Sequence, residues 1–152
     1  MNLFKKEIIF KGNIVSLKEV YRVDEKTAYD GIPEIDYDIY LNETNERIGN
    51  IQLCFSNEGF MYYFGNVGYD ILKEYRGHNY AYYACLLLFE IAYTEFGLKE
   101  LIITCSPENI ASYKTLMKLN GEFVEKVNVP SDHELYKRGE KEKYIFRYKI
   151  GL

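Results

Sequence analysis

The stretch whose reading decides the fold is VGYDILKEYRGHNYAYYACLLLFEIA, residues 67–92. It holds an apolar strand, a turn made of Arg76, Gly77, His78 and Asn79, and a long apolar helix. A strand that feeds a helix through a small polar turn presents unpaired backbone N–H groups at the positive end of the helix dipole. Such an end attracts anions, and Arg76 adds a charge-assisted contact suited to a phosphate or pyrophosphate. Many units of this kind use a glycine and a basic residue only to make the corner, so the turn alone leaves both readings open.

Working downstream, the helix from about Tyr80 to Phe96 is apolar nearly all round, which predicts burial on more than one side. Gly97 is placed to end it, and Leu98–Cys105 reads as a buried parallel strand, completing a right-handed βαβ crossover. Ser106 and Pro107 resemble a helix start, and Ile110, Tyr113 and Met117 then recur at helical spacing as one face. Gly121 closes this helix. Phe123, Val127 and Val129 share one face of the next strand, Pro130–Lys141 is a polar loop, and Tyr144, Phe146, Tyr148 and Ile150 alternate along a last strand.

Upstream, Ile14–Arg22 reads as a first strand with Val15, Leu17, Val20 and Tyr21 turned to the core. Val23–Pro33 holds at most one turn of helix before Gly31 and Pro33 break it. Ile35, Tyr37, Ile39 and Leu41 alternate with Asp36, Asp38 and Tyr40, and Ile48–Phe55 returns antiparallel after a turn at Asn42–Asn45. The aromatic run Gly59–Asn66 starts the next strand or forms a loop over a pocket. The fold class is therefore α/β: one domain over residues 1–152, with a mixed, mostly antiparallel twisted sheet and a central parallel βαβ crossover.

Composition bounds the function. With 152 residues, 47% hydrophobic and 28% charged, the chain is long enough for its own core. A formal charge of -4 argues against a nucleic-acid partner. Ala81–Phe89 is too short to span a bilayer and Met1–Lys6 lacks the core of a signal peptide, so a soluble cytoplasmic protein is expected, with no membrane partner. Cys54, Cys85 and Cys105 are widely spaced in apolar runs, which predicts buried unreactive thiols. Only two histidines, His78 and His133, are present, so no metal is expected.

At this point the chain resembles the GNAT superfamily of acyl-CoA-dependent N-acyltransferases over about Ile35–Ile150. The family's pyrophosphate turn, Arg/Gln-x-x-Gly-x-Gly/Ala, is matched at Arg76 and Ala81, with Asn79 replacing the middle glycine. Asparagine tolerates positive φ better than any residue but glycine. A later Asn-x-x-Ser is matched by Asn109 and Ser112, followed by Lys118, Leu119, Asn120 and Gly121 where the family has Lys-Leu-Gly-Phe.

The resemblance implies acetyl-CoA as co-substrate. Backbone amides of Gly77, His78, Asn79, Tyr80 and Ala81 would hold the pyrophosphate with Arg76. The strand Gly68, Tyr69, Asp70 and Ile71 would pair with the pantetheine arm, and Asn109 and Ser112 would contact it. Helix capping by Asn109 and plain helix surface for Ser112 are the bland alternatives. The implied activity is N-acetyltransferase: a primary amine, in a small molecule or at a peptide or protein N-terminus, attacks the thioester directly through a tetrahedral intermediate. A backbone N–H around Val67–Tyr69 would stabilise the oxyanion.

The family's usual tyrosine donor falls at Leu116. Tyr113, one turn earlier, is either its replacement or a core residue. Asn66 and Asp70, flanking the strand nearest the thioester, are the further catalytic candidates; Asp36, Asp38 and His133 are others for the base, with an exposed loop histidine as the bland reading of His133. The family's first helical pair is shortened or absent, which leaves Tyr62, Tyr63, Phe64 and the Pro130–Lys141 loop to contact the acceptor. Competing readings are a non-catalytic acyl-CoA-binding or sensing module and an unrelated phosphate-binding domain. A homodimer through the edge strand Tyr144–Ile150 stays open.

Overall fold

A computed structural model describes residues 6–24 and 31–151. The elements are β1 (Ile9–Lys11), β2 (Val15–Val23), β3 (Glu34–Leu41), β4 (Arg47–Cys54), β5 (Val67–Ile71), α1 (Tyr80–Phe96), β6 (Glu100–Cys105), α2 (Ile110–Lys118), β7 (Glu122–Asn128), α3 (Glu134–Lys137) and β8 (Glu142–Lys149). The fold is the expected mixed α/β arrangement of antiparallel strands and few helices. The expected turn of helix between Val23 and Pro33 falls mainly on residues 25–30, outside the described residues. No helix among the described residues is long and apolar enough to cross a membrane.

The strands form two sheets, ordered β1-β2-β3-β4-β5 and β6-β8-β7. Every laddered pair is antiparallel. The strand–helix–strand unit β5-α1-β6 is present, but its two strands make no parallel ladder. They touch where Gly65 bridges Ile103 and Asn66 N–H donates to Ile102 O (2.7 Å). Gly65 has φ +76, and a Cβ there would lie 2.8 Å from Ile102 O, so the close approach needs glycine. Beyond Asn66 no backbone hydrogen bond joins β5 to β6 among the described residues.

α1 covers one face of the first sheet. Its Ala84, Cys85, Leu88, Ile91 and Ala92 pack with Val15, Leu17, Ile35, Tyr37, Ile39, Ile51 and Leu53 in one core. Gly97 (φ 67) ends the helix as expected, its N–H donating to Tyr93 O and that of Leu98 to Ala92 O. All three cysteines are free and buried, and burial pushes the Cys85 thiol up to about 12, an inert state.

Two bulges reverse expected side-chain directions. Glu19 pairs with Tyr37 but Tyr21 with Asp36, so Val20 is the extra residue, and Val20 and Tyr21 come out 50% and 56% exposed. A second register shift lies between Phe123 and Glu125, which puts Phe123 on the face opposite Val127. Helix α2 also differs. Its buried residue is Leu116, while Ile110 and Met117 are 63% and 50% exposed. It starts after Asn109, not Ser106, whose hydroxyl instead donates to Glu140 Oε1 (2.5 Å). Asn120 (φ 66) makes the left-handed corner after α2, and Gly121 is required because a Cβ would enter the Tyr148 ring.

Tyr37 is fully buried and its hydroxyl has no hydrogen-bond partner; burial pushes it up to about 12. Replacing it with phenylalanine removes an unpaired polar atom without opening a cavity. Tyr37→Phe is expected to leave stability unchanged or raise it by up to about 1 kcal/mol in a urea titration.

Candidate functional site

The turn after β5 has the geometry of an anion cradle. A single 3₁₀ turn, Lys73–Tyr75, leads to Arg76 in extended conformation, Gly77 at φ 90, and Asn79 at φ 62, ψ 22. Asn79 thus takes the left-handed conformation for which glycine is the usual choice, as its chemistry predicts. Its side chain does not cap α1, so the first-turn amides of the helix remain available to a ligand. Arg76 folds back over the strand end. Its Nε donates to Ile71 O (2.8 Å) and its Nη2 lies 3.4 Å from Asp70 Oδ1, an exposed pair of little energetic weight.

β5 leads from this turn into the split between the sheets. Leu72 N–H donates to Ile48 O (2.8 Å) and Cys54 N–H to Asn66 O (2.7 Å). In an antiparallel ladder this parity turns the backbone groups of Gly68 and Asp70 to β4, and those of Val67, Tyr69 and Ile71 outward to the gap before β6. The open edge is therefore made by alternate residues. The Asp70 and Gly68 main chains, expected to help hold a pantetheine arm, are turned to β4 instead, while Tyr69 and the Ile71 N–H face the gap.

The far wall of the gap is α2. Asn109 caps it, its Oδ1 accepting from Ser112 N–H (3.1 Å). The Ser112 hydroxyl lies 2.8 Å from the Tyr69 hydroxyl, so a hydrogen bond crosses from the first sheet to the helix on the second. Burial pushes the Tyr69 phenol up to about 12. Tyr113, next along the helix and so about 100° further round, packs on Tyr144 and Phe146 of β8, at ring distances of 5.6 and 6.2 Å. Of its two readings, donor or packing residue, these contacts match the packing one. Leu116 is fully buried and Tyr148 Oη donates to its carbonyl (2.6 Å).

Asn66 has a different task from proton transfer. Its Oδ1 accepts from Ile102 N–H (2.7 Å) and Asn57 Nδ2 (3.0 Å), and its Nδ2 donates to Cys54 O (2.9 Å). The buried amide makes three hydrogen bonds and binds β4, β5 and β6 together. Asp70 is exposed beside Arg76, at the turn end of the strand.

The face of the first sheet opposite α1 carries Asp36, Asp38, Asn50 and Gln52. Asp38 is neutralised by Arg47 (2.9 Å). Burial holds the carboxyls of both Glu34 and Asp36 above their ordinary range, the Asp36 charge and a hydrogen bond between the two adding to the rise at Glu34. Asp36 Oδ1 is buried without a partner. His133 corrects another expectation: it is 2% exposed and packed among Phe60, Tyr63 and Phe64. Its Nδ1 accepts from Leu135 N–H (3.0 Å) and its Nε2 meets Phe60 O (2.9 Å), which selects the Nε2–H tautomer. The aromatic run and the Pro130–Lys141 loop are thereby joined, with Thr104 Oγ1 donating to Tyr63 O (2.9 Å) to seat them on β6.

A left-handed turn, an uncapped helix end and an open strand edge thus follow one another in the chain. The profile of the family described as the acetyltransferase (GNAT) domain matches residues 16–122. The chain belongs to the GNAT family. It is 36% identical over 64 residues to YnaD, an uncharacterized N-acetyltransferase of Bacillus subtilis; the match covers 40% of this chain and 38% of that relative. The fold is similar to that of a ribosomal-protein-S5-alanine acetyltransferase from Vibrio fischeri, with TM-score 0.64, 12% identity and coverage of 94% and 97% of the two chains. It is also similar to RimJ from Mycobacterium smegmatis in complex with CoA-disulfide, with TM-score 0.59, 15% identity and coverage of 76% and 53%.

Within this GNAT domain the residues present fit a CoA. The turn offers backbone donors to a pyrophosphate, and the outward groups of Val67, Tyr69 and Ile71 offer a strand edge to an amide-bearing arm. Two concavities, of about 260 Å³ around Asn57 and Asn66 and about 380 Å³ around Asn120 and Tyr148, lie elsewhere. A strand edge is a slot, so volume is a poor guide to it. The residues that sequence reasoning missed are Glu34, the Tyr69 side chain and the Asn57 contact to Asn66. For Tyr69 a signal existed: it shares the parity of Val67 and Ile71, which turns it toward the helices.

Proposed function

We propose that this GNAT domain transfers an acetyl group from acetyl-CoA to a primary amine, in a small molecule or at a peptide or protein N-terminus, in the cytoplasm. The observation that carries the reading is the open edge of β5, followed after one 3₁₀ turn by the left-handed turn at Gly77 and Asn79. Bound acetyl-CoA would supply an activated thioester, held by the turn amides, Arg76 and the strand edge. An alkylamine is mostly protonated at neutral pH and must lose a proton before it attacks. Glu34 and Asp36, which burial holds above the usual carboxylate range on the face opposite the helices, are the carboxyls we assign to take it. The outward N–H of Val67 or Tyr69 would receive the oxyanion of the tetrahedral intermediate.

Leu116, where the family's tyrosine would stand, motivates the second reading, an acyl-CoA-binding module without turnover. Native mass spectrometry of the purified protein, followed by thiol release from acetyl-CoA across an amine panel, tests the two. Bound CoA with turnover supports the enzyme, and bound CoA without turnover on any amine or peptide supports the module. Arg76→Ala is expected to weaken CoA binding about tenfold, the weight of one charge-assisted contact, while shifting the melting temperature by less than about 2 °C. An equal loss of stability would instead make Arg76 a structural residue.

A further inference from the structure

We propose that the Tyr69–Ser112 hydroxyl pair is the proton donor for the sulfur that departs in acetyl transfer, an inference that rests on the acetyl-CoA reading above. A thioester that loses its acyl group leaves a thiolate, and a thiolate in a slot between two sheets needs a donor. The Tyr69 hydroxyl comes from the strand whose edge faces the slot and reaches α2 across it, 2.8 Å from Ser112 Oγ. The Thr115 hydroxyl, also on α2 and beside Tyr69, gives its proton to Ala111 O (3.1 Å). Leu116 has no proton to give, and Tyr113 is turned to β8. The Cys85 and Cys105 thiols are buried.

In the step, the C–N bond forms and the C–S bond breaks, its electron pair going to sulfur. Tyr69 Oη gives its proton to that sulfur while Ser112 Oγ–H hydrogen-bonds the phenolate oxygen. The proton shed by the amine returns to Tyr69 through solvent, so the hydroxyl is restored and the protons balance. A phenol is protonated at neutral pH, as a donor must be, and burial raises Tyr69 further while its hydrogen bonds to Ser112 and Thr115 work in the opposite direction.

The test needs no acceptor. The purified protein is titrated with CoA by calorimetry, and the ionisation of the bound CoA thiol is followed by its ultraviolet thiolate absorbance against pH, in wild type, Tyr69→Phe and Ser112→Ala. A hydroxyl aimed at sulfur stabilises the thiolate and lowers the bound thiol's pKa. Tyr69→Phe is expected to bind CoA within about threefold of wild type and to raise that pKa by about one unit, with Ser112→Ala raising it less. An unchanged thiol pKa in both variants, with CoA still bound and the melting temperature kept, overturns the proposal. Loss of CoA binding by folded Tyr69→Phe also overturns it, making Tyr69 a binding residue. If wild type itself does not bind CoA, the acetyl-CoA reading fails and takes this one with it, a result distinct from the other two.

Discussion

Asn66→Ala is expected to destabilise the protein by about 4 kcal/mol, because it leaves Ile102 N–H and Cys54 O buried and unpaired and each such group costs about 1–3 kcal/mol beyond the bonds lost. In a domain of this size that corresponds to a fall in melting temperature of about 8–15 °C. The amide makes three side-chain hydrogen bonds, to Ile102, Asn57 and Cys54, at 2.7–3.0 Å. No neighbouring side chain can replace them, since the site lies where two backbones and a loop converge. CoA affinity should fall with stability, because Asn66 sets the point from which β5 and β6 part. A melting temperature within about 2 °C of wild type would show that the two sheets are held together elsewhere.

Gly49→Ala is the second substitution with a large expected effect. A Cβ at this position would be driven into the Asp70 carbonyl oxygen, with Ile71 Cα only 3.1 Å away. These are backbone atoms of the neighbouring strand, so no rotamer change relieves the clash, and β5 must shift away from β4. The cost is expected to be about 3 kcal/mol or more by chemical denaturation, at the upper end of what overpacking produces. The displacement would also narrow the slot on the other side of β5. Loss of CoA binding at temperatures where the variant is still folded distinguishes that displacement from simple unfolding, and a variant as stable as wild type would rule out the close strand approach.

Local chemistry made much of this legible in advance. Alternation placed Ile35, Tyr37, Ile39 and Leu41 correctly in the core, and the apolar run after Asn79 gave α1 with Gly97 at its end. The left-handed conformation at Asn79 followed from the tolerance of asparagine for positive φ. What escaped was parity and partnership. One extra residue at Val20 and another at Val124 reverse the faces that follow, and neither carries a mark in the sequence. The apolar spacing of Ile110, Tyr113 and Met117 is helical but does not say which face is buried, and Leu116 is the residue that packs inward. His133 looked like an exposed loop residue because its three aromatic neighbours lie about 70 residues earlier. The task of Asn66 was hidden for the same reason: its partners come from three separate segments.

The alternation along β5 reaches beyond recognition into exchange kinetics. Amides bonded to β4, at Gly68 and Asp70, open only when the ladder does, whereas those of Val67, Tyr69 and Ile71 meet the gap. In deuterated buffer the strand should exchange with a period of two, slow then fast from one residue to the next. A ligand lying along the edge would erase that contrast, so the same few amides that define an empty slot would also time its filling.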